Sequence, residues 1–563
     1  METKIADNYI FESVLDHSIG DSDKTPFVRK NLNYIVDQQA GNSAYTSGQV
    51  IIDSTSLASS GNTFQDWSNA YIALPYSVTV SATAVEATGA TAPTSAGILN
   101  YLSSLKNNSL IDSITVEQAG KTIINQTSNL SQLVNFKMHS TFSQDNVNKM
   151  GGSLLYAPDT PGAYTYTASS VGVVNNLNLP TNTANWDKPE SYNSGVLKRQ
   201  QLLCPYTTAI TTTTKQSNEA DVLQVATGTV PITTAALVTF SEHHFLATIR
   251  LKDLCDYFDK HPRLTRGIGY KIYLRVNQGT TTFTHIATTA GTTPFSALAI
   301  TAQSFTPLGS CLTQPAMVHV GANTLSASLT WANNVTISAD TLKLTSAIDT
   351  GTNARINGVR LYVPSYECSP SAQAKLMAQP VLHRPFFDIY SNVIQNQLAG
   401  GYINTQIASG ISSPKALIVV PQIAQAVNSF NSQGSALNPC PGCTDPQISL
   451  TSTQIKVGSQ YILPDRINYD FVQFLENNVQ LFSLNGNQTN ALNSGNVDMT
   501  KFRHNYRYYA FDLSRYLDSQ DSIPQMITFE SFNNSSVAVD LYVYVLWERN
   551  GEFSLEKGAV QVE

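Results

Sequence analysis

Charged side chains are scarce in this sequence: 13% of the residues are Asp, Glu, Lys or Arg, against 42% that are hydrophobic. That scarcity argues against coiled coils and helical bundles, whose exposed faces carry charge, and against most nucleic-acid-binding proteins. A basic excess is missing too. With 33 basic and 40 acidic residues the formal charge is −7, so no general attraction to phosphate backbones is expected. The segment 1–47 repeats the point, holding Glu2, Asp7, Glu12, Asp16, Asp21, Asp23 and Asp37 against Lys4, Lys24, Arg29 and Lys30. It is not a basic arm of the kind that grips nucleic acid. Cysteine is sparse: Cys204, Cys255, Cys311, Cys368, Cys440 and Cys443 are scattered rather than set out as a disulfide framework, which fits a reducing compartment. No apolar run approaches the ~20 residues that span a bilayer. The start, Met1-Glu2-Thr3-Lys4, lacks the basic-then-apolar layout of a secretory signal. A soluble species, synthesised in the cytoplasm without a signal peptide, is expected.

Motifs for chemistry are also thin. There is no H-E-x-x-H, no G-x-S-x-G and no P-loop. Cys440-Pro441-Gly442-Cys443 is the one C-x-x-C, and with no second pair to complete a zinc site it is expected to be a Pro-Gly turn. In Glu242-His243-His244 the adjacent imidazoles would point to opposite faces of a strand. His17, His139, His261, His285, His319, His383 and His504 are dispersed. Lys198-Arg199 and the stretch Lys260–Arg266 are the densest basic spots and read as solvated rim. No catalytic residue, no cofactor site and no metal site is predicted, and the chain is not expected to be an enzyme.

What the sequence does have is length and β-pattern. At 563 residues it exceeds a single ordinary core and calls for at least two. Much of the polar remainder is Ser, Thr and Asn, with 31 Gly and 24 Pro, the composition of many strands joined by long loops. The clearest strands are 49–53, 71–80, 114–117, 121–125, 245–251, 270–276, 359–363, 416–420, 506–510 and 537–547. Gln118-Ala119-Gly120-Lys121 is a hairpin turn by its chemistry. Short helical decorations are expected where Ile98, Leu102 and Leu105, and again Leu130, Leu133, Val134 and Met138, fall on one helical stripe. The fold class is all-β.

Internal duplication is the most specific signal. Ala70-Tyr71-Ile72-Ala73-Leu74-Pro75 is answered by Ala416-Leu417-Ile418-Val419-Val420-Pro421. Asp253-Leu254-Cys255-Asp256-Tyr257-Phe258-Asp259 is answered by Asp512-Leu513-Ser514-Arg515-Tyr516-Leu517-Asp518. Val359-Arg360-Leu361-Tyr362-Val363 is answered by Val539-Asp540-Leu541-Tyr542-Val543, in the same order. In the middle pair each Asp is expected to N-cap a short helix whose Leu and aromatic residues pack on the sheet. Two homologous β-domains follow: 48–367, carrying an insertion at about 278–353, and 386–563, after the N-terminal segment 1–47 and joined by a linker 368–385. Ser369-Pro370 opens a short helix in that linker.

Two tandem β-domains with capped helices beside strands and one large inserted tower region resemble the double jelly-roll major capsid proteins of the adenovirus, virophage and Polinton-like virus lineage. Val359-Arg360-Leu361-Tyr362-Val363-Pro364-Ser365-Tyr366-Glu367-Cys368-Ser369-Pro370 is similar to the end of the first jelly roll there. The resemblance covers about residues 45–550. It implies eight-stranded jelly rolls, a homotrimer with a pseudo-sixfold outline, icosahedral tiling in a virion, and partners that are neighbouring capsomers and minor capsid or penton proteins. No catalytic residue comes with it, and no direct nucleic-acid binding is expected, so genome retention would fall to an internal membrane, a separate basic protein or packaging pressure. Two other readings compete. A particle-displayed attachment protein with β-sandwich domains, binding a host receptor or glycan, would normally show a stalk, and none is visible. A carbohydrate-active β-sandwich enzyme would need a marked pair of carboxylates.

Overall fold

The computed structural model of the chain describes residues 27–37, 45, 49–58, 63–84, 103–126, 129–151, 154–158, 214–217, 222–226, 236–286, 299–308, 315–318, 340–348, 358–378, 380–424, 441–445, 447–484, 495–504, 506–513, 523–555 and 558–562. Sixteen strands among them form two sets of eight. The first set is β1 (Phe27–Val36), β2 (Gln49–Asp53), β3 (Tyr71–Ala84), β4 (Ile111–Gln118), β5 (Lys121–Gln126), β6 (Ala236–Arg250), β7 (Lys271–Val276) and β8 (Arg360–Cys368). The second is β9 (Val381–Gln397), β10 (Tyr402–Ile411), β11 (Pro414–Ile423), β12 (Leu450–Val457), β13 (Gln460–Tyr461), β14 (Tyr509–Asp512), β15 (Gln525–Asn533) and β16 (Val539–Ser554).

The strand order is the same in both sets. In the first, β1-β8-β3-β6 makes one sheet and β2-β7-β4-β5 the other; in the second, β9-β16-β11-β14 faces β10-β15-β12-β13. Every ladder is antiparallel. Adding eight to any strand number in the first set therefore gives its counterpart in the second. Two facing four-stranded sheets wound in this order are a jelly roll, and the chain contains two of them in tandem.

Sequence period explains the layers. In β7, Ile272, Leu274 and Val276 are buried while Lys271, Tyr273 and Arg275 are half-exposed, the alternation of a sheet with one wet face. Between β4 and β5, Ala119 and Gly120 both take positive φ, 50° and 80°, and Gln118 pairs with Lys121. This is the tight hairpin expected, and Gly supplies the left-handed conformation at little steric cost.

Two of the three duplicated motifs land on equivalent elements, β3 with β11 and β8 with β16; of the middle pair, 253–259 lies in helical turns just beyond β6, and most of its counterpart, 514–518, lies outside the described residues. Residue by residue they are slipped. Ile72 lies opposite Ile249 and Leu361, whereas Ile418 lies opposite Ala510 and Tyr544. Ala510 thus holds the place of Ile249 that the motif alignment assigned to Tyr508, and Tyr544 holds the place of Leu361 that it assigned to Leu541. The equivalence is one of strands and packing, not of letters.

Other expectations need correction. Asp253 is no N-cap: it sits inside the helical turn Leu251–Leu254, whose N-cap position is Arg250, and it accepts two hydrogen bonds from that arginine. The helical turn begins directly off β6 with the extended Arg250 already at the cap position, so Asp253 falls inside it. Asp512 ends β14, and the helix and Tyr516 expected beyond it lie outside the described residues. Residues 506–508 precede β14 rather than belonging to it. Leu105 lies in the short strand Ser103–Leu105, paired with Ala316–Val318, not in a helix; Ile98 and Leu102 are outside the described residues. The helix Leu130–Thr141 (α1) is as expected.

β1 lies ahead of residue 48, and β9 begins inside the interval 368–385, after the helix Pro370–Met377 (α2) whose amide at Ala372 donates to the Ser369 hydroxyl. Alternation alone did not reveal β1, because its pattern is inverted: Leu32, Tyr34 and Val36 are exposed while the less exposed positions between them include Asn31 and Asn33. Within 278–353 the strands Asp340–Ile348, Gly279–Ile286 and Ala299–Pro307 pair one after another outward from the far half of β3. The insertion thus widens an existing sheet. A second difference between copies went unread: the connection from β5 to β6 spans 127–235, against 462–508 from β13 to β14.

Tyr257 is the anchor of the first core, fully buried and ring-stacked or edge-on to Phe258, Tyr270, Phe386 and Phe553. Tyr257→Ala is expected to cost ~3 kcal/mol or more. Asp253→Ala, which breaks a local bidentate ion pair, should cost less, about 1–2 kcal/mol. Equilibrium unfolding in urea checks the ranking, and equal losses would contradict it.

Candidate functional site: the seam between the rolls

Two reciprocal insertions join the rolls. The first is α1, which follows β5. Leu130, Val134 and Met138 belong to the core of the first roll, and Leu133 and Phe136 to the core of the second. One helix thus carries two apolar stripes, so the sequence pattern that predicted a single buried face was incomplete. Phe136 meets Tyr508 edge to face at 5.0 Å. His139 lies tilted against Tyr506, ring centroids 4.2 Å apart, and its Nδ1 is 2.7 Å from the Tyr156 hydroxyl.

Backbone of the second roll presses directly on this helix. The Asn496 amide donates to the His139 carbonyl at 2.8 Å, and a Cβ on Gly495 would lie 2.4 Å from Ser140 backbone atoms. Gly442, at φ +82°, faces the Gln132 carbonyl less tightly, a Cβ there lying 3.2 Å away. The Cys440–Cys443 segment therefore does contain a Pro441-Gly442 turn, and its glycine supplies the left-handed conformation. Cys443 is buried, its thiol donating to the Thr444 carbonyl at 3.8 Å; Cys440 lies outside the described residues.

The second insertion runs the other way. Phe386 at the start of β9 and Phe553 at the end of β16 enter the core of the first roll, with Val560 from the strand Ala559–Val562. Phe386 and Phe553 pack against Tyr257 at 5.1 and 5.8 Å. The side-chain amide of Gln118 donates to the Gly558 carbonyl at 2.7 Å and accepts from the Val560 amide at 2.9 Å, tying that last strand to the end of β4. His261 is enclosed here, with Nε2 2.8 Å from the Tyr270 hydroxyl. Burial lowers its pKa to about 3, so the ring is neutral.

Charge at the seam is paired. Arg549 donates to Asp388 at 2.8 Å and, across the rolls, to the Ile123 carbonyl of β5 at 2.9 Å. Asp256 accepts from the Phe387 amide at 2.9 Å. Asp112 accepts from the Asn129 amide and faces Arg275 at 3.2 Å. Burial raises the pKa of all three carboxyls, only partly offset by Arg549, by Lys137 and the Phe387 amide, and by the Asn129 amide and Arg275 respectively. Each carboxylate is committed to holding structure rather than standing free for acid–base work.

The remaining sites singled out by sequence are dispersed. Glu242, His243 and His244 are consecutive on β6, opposite Thr79, Val78 and Ser77. His383 is exposed on β9 and His504 on the helix Met499–His504. Among the described residues no three His, Cys, Asp or Glu side chains group as metal ligands, and no helix is long and apolar enough to cross a membrane. Sequence reasoning missed the seam itself, since neither Arg549 nor Asp388 stands in a motif.

No protein-family model matches this sequence, and no curated protein does. Solved structures match over nearly its whole length. They include the major capsid protein of mavirus (12% identity, TM-score 0.42, 97% of this chain and 94% of that one). The Faustovirus major capsid protein (11%, 0.42, 98% of each) and the PBCV-1 virus capsid (8%, 0.37, 96% and 97%) are similar in the same way. At these TM-scores the fold assignment rests on the strand order and not on the superpositions.

The raised carboxyl pKa values give the seam a pH signature. A group whose folded pKa lies above its unfolded value adds stability that is complete below the unfolded pKa and is lost as pH rises through the folded one. Asp256→Asn keeps an acceptor for the Phe387 amide and removes the charge. It should be more stable than the parent at neutral pH, with the advantage shrinking as the pH falls through the raised pKa and gone once the pH is below the ordinary carboxylate range. Thermal melts across that range check this; a pH-independent difference would contradict it.

Proposed function

We propose that this chain is a structural protein, the major capsid protein of a non-enveloped icosahedral virus, assembling as a homotrimer rather than acting as an enzyme. The observation that carries the reading is the pair of jelly rolls of identical strand order locked in one body. Three such chains around a threefold axis present six similar wedges, which tile a near-hexagonal lattice. The copies differ in their connections, as they must if one face of the capsomer projects a tower while the rest stays pseudo-sixfold. In this reading the first roll spans 27–368 and the second 381–562, with α2 between them, and the sheet-widening strands of 278–353 belong to the tower. A surface poor in charge suits wide contacts between neighbouring capsomers, since few ions need to be desolvated. The further partners are minor capsid or penton proteins, the location is the virion, and synthesis is cytoplasmic. At a net charge of −7 the shell is not expected to bind nucleic acid directly.

Light scattering on the purified protein is expected to give about three times the chain mass of 61.2 kDa, and negative-stain images a pseudo-hexagonal outline. A monomer at every concentration would refute the proposal.

A further inference from the structure

Between the rolls lies a cleft of about 370 Å³, within the range of about 300–1,000 Å³ typical of small-molecule sites. Thr122 and Asn125 of β5 form one wall, Tyr390 of β9 and Trp547 of β16 another, and Ser409 and Gly410 of β10 a third. Three features define what it can hold.

First, the aromatic surface is open: Tyr390 is 40% exposed, and Trp547 is half-exposed with the Arg549 guanidinium 5.2 Å from its ring centroid. Second, the lining carries no net charge, because the cationic Arg549 is spent on Asp388 and on the Ile123 carbonyl. An ion entering here would lose hydration without gaining a free counter-charge. Third, hydrogen-bonding groups surround the aromatic wall. The Asn125 amide oxygen accepts from Thr115 at 3.3 Å, Asn125 and Thr122 are both exposed, and the ladder of β10 slips at Ala408 and again before Ile411. The slip takes Ser409 and Gly410 out of register with β15.

Aromatic planes for an apolar C–H face, hydroxyl and amide groups for a ring of hydroxyls, and no net charge are the requirements of a neutral pyranose. We propose that this cleft binds a neutral hexose, free or as the terminal unit of a glycan. The site is complete within one chain, so the inference holds whether or not the chain builds a shell.

Gly410 allows a test that spares the fold. A Cβ at this position would meet nothing within 4 Å, and its φ is not in the left-handed region, so Gly410→Phe should fill the cleft without strain. The probes are the methyl glycosides of glucose, galactose and mannose, followed by ligand-observed saturation transfer and by tryptophan fluorescence. For a ligand of this size, binding at about 1 mM is expected for at least one glycoside. Gly410→Phe should weaken it at least tenfold with a melting temperature near the parent's, and Trp547→Leu should weaken it at least tenfold with a lowered melting temperature, because Trp547 also packs on the second core. Tyr461→Ala, an exposed tyrosine on β13, should leave it unchanged. Absence of transfer from all three glycosides at about 20 mM would overturn the proposal. So would binding that survives both cleft variants, or binding confined to an acidic sugar such as N-acetylneuraminic acid.

Discussion

α1 belongs to two hydrophobic cores at once, and the arrangement of the molecule depends on that. A helix with one apolar stripe would dock on its own roll and leave the second free on a tether. With Leu130, Val134 and Met138 facing one core and Leu133 and Phe136 the other, neither core can close without the helix. Phe386 and Phe553 impose the converse, since the first core lacks two aromatic walls until the second roll is in place. Close-packed interiors tolerate few voids, so the two insertions fix the angle between the rolls through packing, and Arg549 adds a directional hydrogen bond across the seam.

Under the proposed capsid role this interlock would give the duplicated fold a use. Two jelly rolls on a flexible linker would present variable geometry, which would not tile; held at one angle they would act as one body whose loops can diverge. The extra strands of 278–353 illustrate this, because they extend the sheet at the far half of β3 and leave the first half, Tyr71 to Ala73, to pair with β8 as β11 pairs with β16. The same rigidity shapes the cleft, whose walls come from both rolls.

Much of the fold was legible in the sequence because it rests on local rules. Buried runs such as Ala416–Val420, the left-handed turn at Ala119-Gly120 and the Ser369-Pro370 helix start are each specified by neighbouring residues. The duplication was legible for the same reason: equivalent strands meet equivalent demands for apolar, β-branched side chains. The register slips show the limit of that signal, since Ala510 can fill the place of Ile249 once the surroundings repack. What was not legible is everything that depends on contacts distant in sequence. Nothing near Leu133 announces a second core, nothing near Arg549 announces Ile123, and Leu32, Tyr34 and Val36 hide the inside–outside alternation of β1. The seam is written in pairs of residues hundreds of positions apart, which one sequence does not reveal.

The central claim is that the rolls form one cooperative body, and scanning calorimetry of the full chain tests it most directly. Independent domains unfold in separate steps, whereas interlocked ones share a transition. One transition is expected for the parent. Phe136→Ala, which thins the second core from the first roll, and Phe386→Ala, which thins the first core from the second, should each shift that whole transition to lower temperature. Two resolved transitions, with each variant moving only one of them, would contradict the account.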